Sequence, residues 1–159
     1  TGIDMAEQSL DVAKMHLHES GLTVDYQMIT AEQFADDNED KFDVVCCLEM
    51  LEHVPDPASI INAAAKALKP NGTLVLSTLN RNAKSYMLAI VGAEYIMKML
   101  PKGTHEYQKF LKPSELAQAA RSASLEVTDV TGLSYNPISK NYSLGQDVDV
   151  NYLMTCHNR

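Results

Sequence analysis

The sequence is poor in basic clusters, in cysteine and in long apolar runs, and each shortage closes off a class of function. Its 159 residues carry 13 Lys and Arg against 21 Asp and Glu, a formal net charge of -8. No Lys/Arg-rich run interrupts that balance, which argues against a nucleic-acid backbone as partner, because phosphate binding needs clustered positive charge. The cysteines are three, Cys46, Cys47 and Cys156. They make no disulfide framework, and two of them sit inside an apolar run. They are therefore expected as reduced core thiols in a reducing compartment. No apolar stretch is long enough to span a bilayer as a helix, and no signal-peptide pattern opens the chain. Internal repeats and low-complexity segments are absent too. Thr1 stands where an initiator Met would, already inside what reads as a strand, so the sequence is expected to be a piece of a longer protein.

What is present is ordinary for one globular domain with a real core: 45% hydrophobic and 21% charged residues. The stretch Phe42 to Val54 organises the rest. Phe42-Asp43-Val44-Val45-Cys46-Cys47-Leu48 is a β-branched apolar run, which predicts a strand buried on both faces. It ends in Glu49, Glu52 and His53, closed off by Pro55-Asp56-Pro57. In open α/β sheets ligands bind beyond the carboxyl ends of the strands, so this tip is the first candidate for a site.

The flanking pattern agrees with such a sheet. Thr1 to Met5 reads as a strand ending in an acid. Ala6 to Glu19 reads as a helix, with Leu10, Ala13 and Leu17 on one face and Gly21 as its stop. Val24 to Ile29 reads as a second strand and Thr30 to Phe34 as a turn into a short helix, followed by the solvated acidic run Asp36 to Lys41. Pro57 to Leu68 is helical by its Ile60, Ala64, Leu68 spacing, and Lys69-Pro70-Asn71-Gly72 breaks it before a strand at Thr73 to Thr78. These alternations predict parallel βαβ units with helices on both sheet faces. Pro113 to Ala123 reads as a helix with Ser114 available as cap. Leu125 to Thr131 and Val150 to Cys156 read as strands around a turn-rich loop, an antiparallel hairpin closing the sheet. Between Asn80 and Lys102 runs an apolar stripe of Tyr86, Ile90, Ala93, Met97 and Leu100 with a basic border. It reads either as a core or lid helix or as one lying on a membrane surface or a lipid-like substrate.

Several residues can carry chemistry. Asp4 at its strand tip can accept both hydroxyls of a nucleoside ribose, or simply cap the following helix. Glu49, Glu52 and His53 would share one face of a helical turn. There they could hold a divalent cation, or His53 could act as a general base oriented by Glu52, or the three could be a solvated turn. His16 and His18 read as exposed helix residues, His157 as inert, and His105 as part of a possible substrate lid. Asn80-Arg81-Asn82 can face a ligand or form a turn.

The same residues resemble a known family. Gly2-Ile3-Asp4-Met5, Cys47-Leu48-Glu49-Met50-Leu51-Glu52-His53-Val54-Pro55-Asp56-Pro57, Ser77-Thr78-Leu79-Asn80-Arg81-Asn82, Val91-Gly92-Ala93-Glu94-Tyr95-Ile96, Pro101-Lys102-Gly103-Thr104-His105, Gly132-Leu133-Ser134-Tyr135-Asn136-Pro137 and Val148-Asp149-Val150-Asn151-Tyr152 look like the ubiquinone biosynthesis O-methyltransferases. The resemblance implies a Rossmann-like, class I methyltransferase sheet, mostly parallel with a C-terminal antiparallel hairpin. It implies a single domain over residues 1–159, with 80–112 a lid or membrane-associating insertion. It implies S-adenosylmethionine as methyl donor, with Asp4 on its ribose and Met5 and Leu48 along it. It implies O-methylation of catechol-type polyprenyl intermediates, 2-polyprenyl-6-hydroxyphenol and 3-demethylubiquinol, with His53 catalytic. Glu49, Glu52 and His53 match positions that bind Mg²⁺ in eukaryotic members. Membrane lipids, a polyprenylated phenol and other proteins of the pathway are the implied partners. The implied location is the cytoplasm at the inner membrane, or the matrix side of a mitochondrion. One departure matters: the family's glycine-rich loop and the strand before it have no counterpart here. That strand would lie between the ones at Ile3 and Val44, so an incomplete sheet is expected. The competing readings are a related methyltransferase with another small acceptor, a nicotinamide-dependent reductase, and a non-catalytic lipid-binding or assembly subunit.

Overall fold

The structure is a computed structural model, and it describes residues 1–87, 106–136 and 139–159. Two sheets carry the fold. The smaller pairs β1 (Gly2–Asp4) with β2 (Tyr26–Met28) in parallel, Gly2 opposite Tyr26. Between them runs α1 (Glu7–Ser20), whose Leu10 is buried and which ends at Gly21 in the left-handed conformation, φ 67°. That position favours glycine because no Cβ opposes the turn.

The larger sheet has the order β3-β4-β7-β5-β6. Its strands are β3 (Phe42–Leu48), β4 (Leu68–Leu79), β5 (Leu125–Asn136), β6 (Asn141–Gly145) and β7 (Asn151–Asn158). Two helices, α2 (Ala31–Asp37) and α3 (Pro57–Ala67), flank β3 in the chain, and α5 (Pro113–Ser122) precedes β5, after the single turn α4 (Ala83–Ser85). β3 and β4 are parallel; every other pairing in this sheet is antiparallel. The antiparallel part is thus larger than one closing hairpin, because β7 inserts between β4 and β5 and pairs with both.

One face of this sheet holds the core. Cys47, Leu74, Leu76, Tyr152, Met154 and Cys156 pack there with Ile61 and Ala64 of α3 and Leu116 and Ala120 of α5. The opposite face is not covered in the same way: Val44 is 56% and Leu48 52% exposed, and Val75 and Leu153 are only half-buried. This corrects the expectation that β3 is buried on both faces and that helices cover both. The physical reason is that α3 and α5 both pack on the core face, while α1 packs on β1 and β2. β3 is hydrogen-bonded to β4 alone, and no described strand joins it to β1.

Three local expectations also change. The Lys69–Gly72 break does not separate helix from strand; β4 begins at Leu68, and the four residues bulge out between the Phe42–Leu68 and Val44–Thr73 pairs. The helix α5 is capped by Glu115, whose carboxylate accepts from the Lys112 N–H at 3.0 Å, and not by Ser114. The stretch expected as a loop after Thr131 is a hairpin in which Leu133 faces Leu144 and Tyr135 faces Tyr142. Such cross-strand pairs stabilise a ribbon, but a sequence does not display which residues will face each other. The stripe at Ile90–Leu100, His105 and Pro137 lie outside the described residues.

Candidate functional site

The strand tips are built by local hydrogen bonding. At the end of β1, Asp4 turns one carboxylate oxygen back to accept from the Ala6 N–H at 2.7 Å. That bond shapes the turn into α1. Asp4 itself is exposed, and Met5 beside it is 61% exposed, an apolar side chain the core does not use.

The tip of β3 is more constrained. Leu48 is half exposed, and Glu49 then takes a left-handed backbone, φ 52°. A residue with a Cβ avoids this region, so a surrounding structure must hold it there. Ser77 of β4 does so. Its hydroxyl donates to Glu49 Oε1 at 2.6 Å and accepts from the Glu49 N–H at 3.0 Å. The same N–H also reaches the Ser77 carbonyl, 3.1 Å away.

The chain then makes a single 3-10 turn, Leu51–His53, in which the His53 N–H donates to the Met50 carbonyl at 2.9 Å. Leu51 and Glu52 point inward and are buried, whereas His53 is exposed. Glu52 Oε2 accepts from Thr78 Oγ1 at 2.7 Å, and its Oε1 has no hydrogen-bond partner. Burial, followed by the charge of Glu52, pushes the Cys47 thiol up to about 12. Burial and then the charges of Glu115 and Glu52 raise Tyr152 as well, and its hydroxyl donates to the Leu111 carbonyl at 2.9 Å. Asp56 ends the loop by capping α3, accepting from Ala58 N at 3.0 Å and Ser59 N at 3.3 Å.

The expected ligand set of Glu49, Glu52 and His53 does not form. Ser77 and Thr78 are consecutive on one strand, and consecutive strand residues point to opposite faces. Ser77 holds Glu49 and Thr78 holds Glu52, so the two carboxylates are drawn to opposite sides of β4. Among the described residues no group of three His, Cys, Asp or Glu side chains is disposed to hold a metal ion. The residues present do not fit Mg²⁺ as a three-ligand set. The helical face inferred from spacing fails because Glu49 lies outside the 3-10 turn, in a different backbone region.

Asn80-Arg81-Asn82 is structural. Asn80 is buried and donates to the Val148 carbonyl; Arg81 donates to the carbonyls of Gln108 and Phe110 and pairs with Glu115. Asn82 caps α4 and donates to the Asp149 carbonyl. His157 is bonded within the sheet to Thr73, and His16 and His18 are exposed on α1. Two depressions of about 350 and 400 Å³ lie against α1, lined by Lys14, Leu17, His18 and neighbours, away from the strand tips. They hold no convergent set of reactive groups. The residues sequence reasoning missed are Ser77 and Thr78. A Ser-Thr pair ending an apolar strand was the available signal.

A mixed sheet with a parallel β3–β4 pair, Glu49 at the tip of β3 and an antiparallel β7 between β4 and β5, beside a separate parallel β1–β2 pair that carries Asp4, is the α/β methyltransferase architecture. The family description "Methyltransferase domain" matches residues 2–130, and the chain belongs to that family. Among its relatives, the ubiquinone biosynthesis O-methyltransferase of Thiobacillus denitrificans is 59% identical over 154 residues, 97% of this chain and 66% of that protein. The chain thus spans just under two thirds of the length of the relatives it matches. A methyltransferase of Methanosarcina mazei described as SAM-dependent has the same fold, with TM-score 0.69 at 19% identity over 99% of this chain and 80% of that one. The [4+2]-cyclase SpnF is also similar in fold, with TM-score 0.68 at 16% identity over 99% of this chain and 64% of that one. The fold by itself therefore does not specify the reaction.

Proposed function

We propose that this chain forms part of an S-adenosylmethionine-dependent O-methyltransferase acting on catechol-type polyprenyl intermediates of ubiquinone biosynthesis. The observation that carries the reading is the 59% identity over 97% of the chain to a relative of that name. The donor supplies a sulfonium-activated methyl group. Asp4 leaves one carboxylate oxygen unused by the turn and offers it to the ribose hydroxyls. Met5 and Leu48, exposed and unused by the core, line the donor's apolar parts. The acceptor oxygen must be aligned with the methyl carbon and must lose its proton. His53, exposed on a turn tied to β3 and β4, takes that proton as the C–O bond forms and the C–S bond breaks. No metal-held step enters this account.

Residues 80–112 serve as the lid or membrane-associating unit. Tyr86 meets Tyr107 edge-on, ring centroids 5.4 Å apart, and Arg81 ties itself to residues 108–115. Tyr86 and Tyr107 thus lie side by side, which supports reading the stretch between them as an insertion. Tyr86 and Met87 are exposed at the point of departure. No described helix is long and apolar enough to cross a membrane.

The test is methyl transfer from labelled S-adenosylmethionine by the protein expressed from its complete reading frame. A polyprenylated catechol is expected to accept the label, and His53→Ala to lower kcat by about 100-fold, the scale of a lost general base. Transfer only to a soluble phenol would move the protein to another acceptor class. No transfer, with liposome binding unchanged by His53→Ala, would favour the assembly-subunit reading.

A further inference from the structure

Glu52 is the only charged side chain buried among the described residues, 3% exposed. Its surroundings are not those of an ion pair. Thr78, itself fully buried, donates the single hydrogen bond the carboxylate receives, and the other oxygen is left without one. The neighbouring groups that feel its charge are Cys47 and Tyr152, whose thiol and hydroxyl are both raised partly by it. A buried carboxylate with one partner is unfavourable, and hydrophobic side chains would fill the same space at less cost. A residue retained on those terms is doing something that packing alone does not require.

What Glu52 touches shows what that is. It lies in the 3-10 turn directly before His53, and Thr78 is next to last in β4. The Glu52–Thr78 bond therefore ties the turn that carries His53 to the adjacent strand, on the core side. Ser77 ties Glu49 from the other side of the same strand. We propose that Glu52 is a positioning residue: together with Thr78 it forms an internal latch that fixes the turn and hence the imidazole of His53, and it is not a metal ligand. The consequence for catalysis rests on the function proposed above; the latch itself does not.

The test uses the protein from its complete reading frame and the variants Thr78→Val, Glu52→Ala and Glu52→Gln. Thr78→Val is isosteric and removes only the donor, which guards against simple misfolding. Three quantities are read: the His53 imidazole signals by NMR, kcat and KM for methyl transfer, and the number of Mn²⁺ ions bound, by electron paramagnetic resonance. Thr78→Val and Glu52→Ala are expected to shift the His53 signals and to lower kcat about tenfold with KM for the donor within about twofold, a loss of alignment rather than of binding. Glu52→Gln keeps an oxygen that accepts from Thr78, so it is expected to restore the His53 signals and at least half of kcat. Mn²⁺ binding is expected to be the same in all four proteins. Loss of bound Mn²⁺ in Glu52→Gln, or unmoved His53 signals in Thr78→Val, would overturn the proposal. Absence of methyl transfer in the parent protein would count against the proposed function, while the NMR result would still decide the latch.

Discussion

Replacing Ser77 by Ala tests how the tip of β3 is held. The hydroxyl makes two bonds to Glu49, one to its carboxylate and one to its N–H. A hydrogen bond to a charged group contributes about 1.5–3 kcal/mol, and the exposure of Glu49 argues for the low end. The N–H bond is shared with the Ser77 carbonyl, so its loss adds only about 0.5 kcal/mol. The expected total is about 2 kcal/mol, a drop in Tm of roughly 4–8 °C at this chain length. The left-handed backbone of Glu49 gives a second, signed check. Glu49→Gly relieves a conformational cost of about 1–2 kcal/mol but forfeits the carboxylate bond. In the Ser77→Ala background that bond is already gone, so Glu49→Gly is expected to cost less there than in the parent, by about 1 kcal/mol or more. Urea and thermal unfolding of the four proteins measure the cycle. A Ser77→Ala cost below about 0.3 kcal/mol, or an identical Glu49→Gly effect in both backgrounds, would refute the reasoning, because independent sites add within that margin.

Two further perturbations address other parts of the fold. Arg81→Ala removes two carbonyl contacts and the Glu115 pair, and is expected to destabilise by about 1–2 kcal/mol and to speed hydrogen exchange at residues 106–112 selectively. Uniform exchange along the chain would show that Arg81 anchors nothing in particular. At alkaline pH the Cys47 thiol, pushed up to about 12 from 9.0, stays protonated in the fold after the unfolded chain has lost its proton. The stability it contributes is whole below pH 9 and falls as pH rises from 9 toward 12, by about 1.4 kcal/mol per unit. Urea melts at pH 8 and 10.5 should show Cys47→Ala flattening that decline. A thiol reagent should label exposed Cys46 in the native protein and reach Cys47 and Cys156 only on unfolding.

The extent of sequence legibility follows the reach of the interactions. The helices α1, α3 and α5 were readable from their periodic apolar positions, of which Leu10, Ala64, Leu116 and Ala120 are buried, although Ile60 is only half-buried and Leu68 begins β4 instead of ending α3. The tips bearing Asp4 and Glu49 were readable because an acid following an apolar strand is local. The β5–β6 hairpin was not, since its turn residues resemble a loop until Tyr135 is seen opposite Tyr142. The exposure of β3 was hidden for a similar reason: an apolar run predicts burial, but its neighbours decide it. The metal expectation failed at a finer scale. Spacing of three and four residues places side chains together only on a continuous helix. Glu49 sits in a left-handed turn instead, and Ser77 and Thr78 draw the two carboxylates to opposite faces.

The central claim is that the tips of β1 and β3 meet one methyl donor. Calorimetric titration of S-adenosylmethionine into the protein expressed from its complete reading frame tests it, with Asp4→Ala at one tip and Leu48→Asp at the other. Each variant is expected to bind at least about tenfold more weakly than the parent, a loss of about 1.4 kcal/mol or more. Parent-like affinity in either variant would mean that the two tips do not share the donor, and the account would fall.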